Sequence, residues 1–291
     1  MSKLNFSGHE TFQCRELWLK KGFDFVNTKK SFHDPYAVVE LGVGKNMVNA
    51  IQYWMIAFAL MDPEKKLSDL ANYIFGPEGK DPFLEDSVTL WLLHYHLIKK
   101  EHSSIYSLFF NEFRKERPEF TRTHLVNYLK RKCEENRSVI SENTIAKDAG
   151  VFLSTYLNPT RGQKDFKDLL AGLFIDLDLI ERIHRIEAGG FEWYRIINRE
   201  YEDIPAEISL YCILDNEDYG SSVSFHTLLT GWNSIGSVFA LNANGLAKKI
   251  KEITQKYKTV IYTDYAGVKE LQFKEKTDKW KVLDDCYGKS E

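Results

Sequence analysis

The chain has 291 residues, 43% hydrophobic and 14% aromatic, with a formal net charge of -3; this supplies more than one core and excludes a globally basic nucleic-acid binder. Cys14, Cys133, Cys212 and Cys286 are too scattered for a zinc ribbon or a disulfide framework, so reduced thiols are expected. No apolar run approaches the roughly 20 residues of a membrane span, and "MSKLNFSGHE" lacks the core of a signal peptide, so the expected location is cytoplasmic, with no membrane partner.

From Glu10 to Val26 the residues Phe12, Leu17, Trp18, Leu19, Phe23, Phe25 and Val26 recur mostly at helical spacing and predict one helix. A short helix from Pro35, a turn at Gly42 to Gly44 and a long helix from about Lys45 to Leu60 follow. "KLSDLANYIFG" reads as a further helix, and "DPFLEDSVTLWLLHYHLIKK" as a helix buried on nearly every side. Residues 103 to 115 and 121 to 135 continue the pattern, and "SENTIAKDAGVFLSTYL" opens on Ser141, a helix-capping residue.

Beyond it the pattern changes. Alternating runs around Ala188-Gly189-Gly190 predict a β-hairpin. The last third then gives "SFHTLLTG" and "SVFALNANGLAKKIKEITQKY" as one helix each, and a second hairpin turning at Ala266-Gly267. The expected fold class is mainly α with short β-hairpins, built as tandem winged-helix or helix-turn-helix-like domains. Charge and proline collect near 105 to 118 and 199 to 205, which divides the chain into 1–112, with a helix-turn-helix, and two winged-helix-like parts, 113–200 and 201–291.

The helix-turn-helix candidate is "VVELGVGKNMVNAIQYW". Lys45, Asn46, Asn49 and Gln52 fall on the first exposed surface of its second helix, while Val48, Ile51 and Met55 keep the core stripe. Asparagine and glutamine suit adenine, and lysine suits guanine or phosphate. The competing reading is a plain helical hairpin. In "SENTIAKD", Asn143, Thr144 and Lys147 face outward; the stretch before it sets Arg114, Lys115, Arg117, Arg122, Lys130, Arg131, Lys132 and Arg137 against five glutamates, an excess of three charges. Lys130 and Arg131 are its candidate phosphate contacts; a solvated helix face is the alternative.

Signals for hydrolytic chemistry are thinner. His9-Glu10 lacks the second histidine of a zincin because Gln13 stands there. His94 and His96, two apart on a helix, point to different faces. Asp81, Glu85 and Asp86 read more readily as first-turn acids than as a metal cluster, and "GVGK" lacks the rest of a phosphate loop.

"FSGHETFQCRELWLKKG", "LGVGKNMVNAIQYW", "DPFLEDSVTLWLLHYHL", "FNEF" and "SENTIAKDAGVFLSTYL", in this order over nearly the whole chain, resemble the SspB-like family of unknown-function domain proteins from bacterial Ssp-type DNA phosphorothioation operons. The resemblance implies double-stranded DNA as a ligand. It implies as partners a cysteine desulfurase, an ATPase and an ATP pyrophosphatase-like sulfurtransferase, and as activity the nicking of one strand for sulfur insertion, with Mg²⁺ as cofactor if the protein nicks. His9, Glu10 and Arg15 match the family pattern and are the candidate catalytic residues; Gln13-Cys14 departs from it, which leaves Cys14 without a role. A non-catalytic winged-helix adaptor that recruits the sulfur-transfer proteins is the alternative, and a buried polar anchor is the alternative for the trio.

Overall fold

The computed structural model describes residues 4–159, 172–183, 192–265, 267–275 and 277–288. They form two compact units, Met1–Ile196 and Ile197–Glu291.

The first unit opens with three helices in mutual contact, α1 (Glu16–Asn27), α2 (Ala37–Leu41) and α3 (Lys45–Ala57). Gly42 ends α2 at φ +63°, and Gly44 leads into α3, the reversal that the two glycines predict. α1 is shorter than its periodicity suggests. The helix expected from Glu10 begins at Glu16, because Ser7, Gly8, Glu10 and Thr11 all have positive φ and the Phe12 amide bonds back to the His9 carbonyl. Left-handed residues cannot continue a right-handed helix, so apolar spacing at Phe12 records burial in a loop.

α4 (Asp69–Phe75) and α5 (Ser87–Lys100) follow. Every residue of α5 from Thr89 to Ile98 is buried, and Asp86 caps it by accepting the Val88 amide at 2.9 Å. Asp81 spends its two oxygens on the Glu85 and Asp86 amides, at 2.9 and 3.0 Å. His94, fully buried, bonds the Tyr156 hydroxyl at 3.1 Å.

α6 (Ser104–Leu108), a π turn over Phe109–Phe113 and α7 (Arg114–Glu116) run on as one helical segment. β1 (Glu119–Phe120), α8 (Arg122–Glu135), α9 (Glu142–Tyr156), β2 (Glu181–Ile183) and β3 (Trp193–Arg195) complete the unit, with a three-stranded antiparallel sheet in the order β1-β3-β2. The expected turn at Ala188 to Gly190 lies outside the described residues. Phe109, Phe110, Phe113, Phe120, Phe152 and Tyr156 stack at 4.5 to 6.5 Å, so residues on both sides of position 112 share one aromatic core.

The second unit contains α10 (Ala206–Asp215), β4 (Ser222–Ser224), α11 (Phe225–Thr230), α12 (Ile235–Val238), α13 (Ala243–Lys256), β5 (Val260–Tyr265), β6 (Val268–Phe273) and α14 (Lys279–Tyr287). Its sheet order, β4-β6-β5, repeats that of the first unit. The single helix expected over "SVFALNANGLAKKIKEITQKY" is broken: Ala240 has φ +50°, and Asn242 starts α13 by accepting the Gly245 amide at 2.7 Å. Such a side-chain cap competes with helix continuation. Gly267 turns the second hairpin at φ +82°; Ala266 is not among the described residues. Neither α10 nor α14 was expected, since α10 is buried almost all round and shows weak amphipathy.

Among the described residues the chain is thus mainly helical with two small antiparallel sheets.

Candidate nucleic-acid interface

The N-terminal segment is pinned at several points. Asn5 exchanges backbone and side-chain bonds with His102 and Ser104. Two residues on, the Ser7 amide donates to both carboxylate oxygens of Asp148, at 3.1 and 3.0 Å. His9 Nε2 lies 3.2 Å from the same carboxylate, and both side chains are almost wholly buried. The His9 ring stacks on Trp54 at 5.8 Å and meets Tyr53 edge-on at 5.5 Å.

This geometry orders the loop. An aspartate with 1% exposure is tolerable only if its oxygens are bonded, and among the described residues Ser7 and His9 supply the donors. Gly8 has φ +96°, and a Cβ on it would come within 2.6 Å of the Tyr53 ring. The loop therefore climbs α3 by one turn, from Gly8 beside Tyr53 to Glu10 beside Asn49, whose Nδ2 donates to Glu10 Oε1 at 3.4 Å. Trp54 clamps its far end by donating from Nε1 to the Phe12 carbonyl at 3.1 Å. Burial pushes the Tyr53 hydroxyl pKa up, and the Asp148 charge pushes it further.

His9 and Glu10 thus share a loop but not an environment. His9 is sealed in, while Glu10 is exposed. Arg15 precedes α1, with its guanidinium 4.9 Å from the Trp18 ring and 5.8 Å from Phe12. Burial holds its pKa below the ordinary value, and no hydrogen bond or ion pair among the described residues joins it to His9 or Glu10. Cys14 is fully buried and burial pushes its thiol well up, so the thiolate is suppressed.

The predicted polar face of α3 is on the surface. Lys45 and Asn46 are exposed, Asn49 and Gln52 half-exposed, and Val48, Ile51 and Met55 buried. On α9, Ser141 caps the helix by accepting the Thr144 amide at 3.1 Å, Asn143 and Lys147 are exposed, and Asp148 turns inward to the loop. The loop at residues 7–11 is thereby fastened to both helices that carry the predicted groove-facing residues. Among the described residues, no acid pairs with Lys45 or Lys147. The other two cations are engaged: Lys130 pairs with Glu142 at 2.9 Å, and Arg131 with Glu116 at 3.0 Å and Glu135 at 3.8 Å. A phosphate would have to compete with those carboxylates.

Asp148 was missed in sequence. The available signal was an acid three residues after Ile145 and four before Phe152, on the apolar stripe of its helix, a position that demands a buried partner.

No group of three or more His, Cys, Asp or Glu side chains among the described residues could hold a metal ion. Magnesium in nucleic-acid enzymes is held by one or two carboxylates, with phosphate and water completing the shell. Glu10 offers one exposed carboxylate, and the buried Asp148 is committed to Ser7 and His9.

The family model described as "Protein of unknown function (DUF4007)" matches residues 6–287. Two solved structures are similar over the whole fold: an SspB crystal structure with a TM-score of 0.83, and a magnesium ion-bound SspB with 0.82. Each is 26% identical, covering 100% of this chain and 90% of the other. A comparison with curated proteins finds no match.

Proposed function

The chain belongs to the DUF4007 family of proteins of unknown function, and from that premise we propose that it is the DNA-binding component of a bacterial DNA phosphorothioation system. The similarity to SspB supports the phosphorothioation context. Double-stranded DNA is the ligand, and a cysteine desulfurase, an ATPase and an ATP pyrophosphatase-like sulfurtransferase are the partners, acting in the cytoplasm. The three-part organisation 1–112, 113–200 and 201–291 belongs to the same reading. In it, each strand-helix-helix-hairpin series with sheet order β1-β3-β2 or β4-β6-β5 is a winged helix.

One observation carries the reading: the loop at residues 7–11 bonds both to Asn49 on α3 and, through His9 and Ser7, to Asp148 on α9. That arrangement supports a single surface in which Asn46, Asn49 and Gln52 enter a major groove while Lys45, Asn143 and Lys147 approach the phosphates. The adaptor form, in which the protein holds DNA for its partners, is supported by the absence of any hydrogen bond or ion pair among the described residues that joins Arg15 to His9 or Glu10. A gel shift on duplex DNA, at increasing salt, tests it. Wild type should bind at low salt and weaken steeply, and binding unchanged by Lys45→Ala and Lys147→Ala would refute this face.

Strand nicking is the second reading. It is favoured by the loop's backbone, where Ser7, Glu10 and Thr11 hold positive φ; strain of about 1 to 3 kcal/mol per such residue is typically retained at functional sites. Conversion of supercoiled plasmid to open circle with Mg²⁺, abolished by Glu10→Ala, would establish nicking at this loop. Wild-type activity in that variant would remove it.

A further inference from the structure

Glu10 poses a problem for a DNA-binding surface. A carboxylate facing a phosphate backbone is repelled, yet the fold uses the buried His9–Asp148 contact, a glycine at φ +96° and two clamps to hold this one against the exposed side of α3. It lies beside Asn49, one turn past Lys45. Charge that is unfavourable toward phosphates is tolerated when it faces a groove floor, where exocyclic amino groups are donors.

The atoms define the chemistry. Asn49 donates one of its two Nδ2 protons to Glu10 Oε1. The Glu10 carboxylate is acceptor-only, with lone pairs beyond the one Asn49 engages, and the Lys45 ammonium is a donor on the same helix face at i-4. In the major groove, acceptors select the N4 amino group of cytosine or the N6 amino group of adenine, the only base-edge amines displayed there. We infer that Glu10, seated on α3 by the loop at residues 7–11, is a specificity-determining residue that accepts a hydrogen bond from the exocyclic amine of cytosine or adenine in the major groove. The inference rests on the DNA-binding reading above.

The test is selection of bound sequences from a randomised duplex pool by the full chain, in wild-type, Glu10→Ala, Glu10→Gln and Lys45→Ala forms. Wild type should enrich cytosine or adenine at one position, and the base enriched identifies the amine. Glu10→Ala should reduce that preference by about 5- to 150-fold. Glu10→Gln keeps the shape of the side chain and should weaken the preference less, which guards against a merely misfolded loop. Lys45→Ala should weaken binding to the whole pool. Glu10 variants that keep the wild-type profile overturn the inference. So does a wild-type protein that binds the pool without favouring cytosine or adenine anywhere, an outcome that leaves the DNA-binding reading standing. Failure of wild type to retain any duplex at low salt overturns both.

Discussion

His9 Nε2 and Asp148 Oδ1 lie 3.2 Å apart, both side chains sealed from solvent; this pair ties the N-terminal loop to α9. It holds the imidazole by one nitrogen, Nε2, and the buried carboxylate depends on that contact and on the Ser7 amide.

Asp148→Ala should lower stability by about 2 to 4 kcal/mol, because it strands the Ser7 amide and the His9 ring in a dry environment. Urea melts measure this. A double-mutant cycle of His9→Leu with Asp148→Leu should show strong coupling, with the double variant less destabilised than the sum of the singles; additive effects would mean that the pair is incidental.

Gly8 and Gly42 make a matched comparison. Both have positive φ, but a Cβ at Gly8 meets the Tyr53 ring at 2.6 Å and one at Gly42 meets nothing within 4 Å. Gly42→Ala should therefore show only the left-handed backbone penalty, about 1 kcal/mol, and Gly8→Ala visibly more. Equal losses in thermal melts would deny the close packing of the loop on α3.

Removing Lys45 or Lys147 should each lower the salt dependence of DNA binding by about 0.9 in the slope of log affinity against log salt. Lys130→Ala and Arg131→Ala should change it less, since Glu142 and Glu116 already answer those charges. Fluorescence anisotropy titrations across a salt series separate the two classes, and equal effects for all four would place the interface on α8 as well.

Cys14 gives a pH-dependent stability with a definite sign. Burial raises its pKa in the folded chain, so the folded state keeps its proton where the unfolded chain loses it. Its contribution is complete below about pH 8.5, the ordinary thiol value, and fades as pH rises above it. The loss of stability between pH 7 and pH 10 should be smaller in Cys14→Ala than in wild type, and iodoacetamide should label Cys14 only after unfolding.

Much of the local structure was legible because it depends on neighbours in sequence. The two-glycine turn, the Ser141 cap, the all-round burial of α5 and the polar face of α3 follow from spacing and backbone preference within a few residues. The start of α1 and the break between α12 and α13 were not legible. Phe12 has the spacing of a helical core residue although it belongs to a loop packed on Trp54, and the break depends on a cap by Asn242 that a periodicity average conceals.

Sequence by itself determined most of the helices of the first unit, the polar face of α3, and that His9, Glu10, Lys45, Asn49 and Lys147 belong to patterned segments. Only the tertiary structure decided that His9 faces Asp148 while its neighbour Glu10 faces Asn49. The reason is physical: the direction of a side chain in a loop of positive φ follows from no periodicity. It is set by which distant partner can satisfy a buried charge, and that partner is brought within hydrogen-bond reach by the packing of the chain.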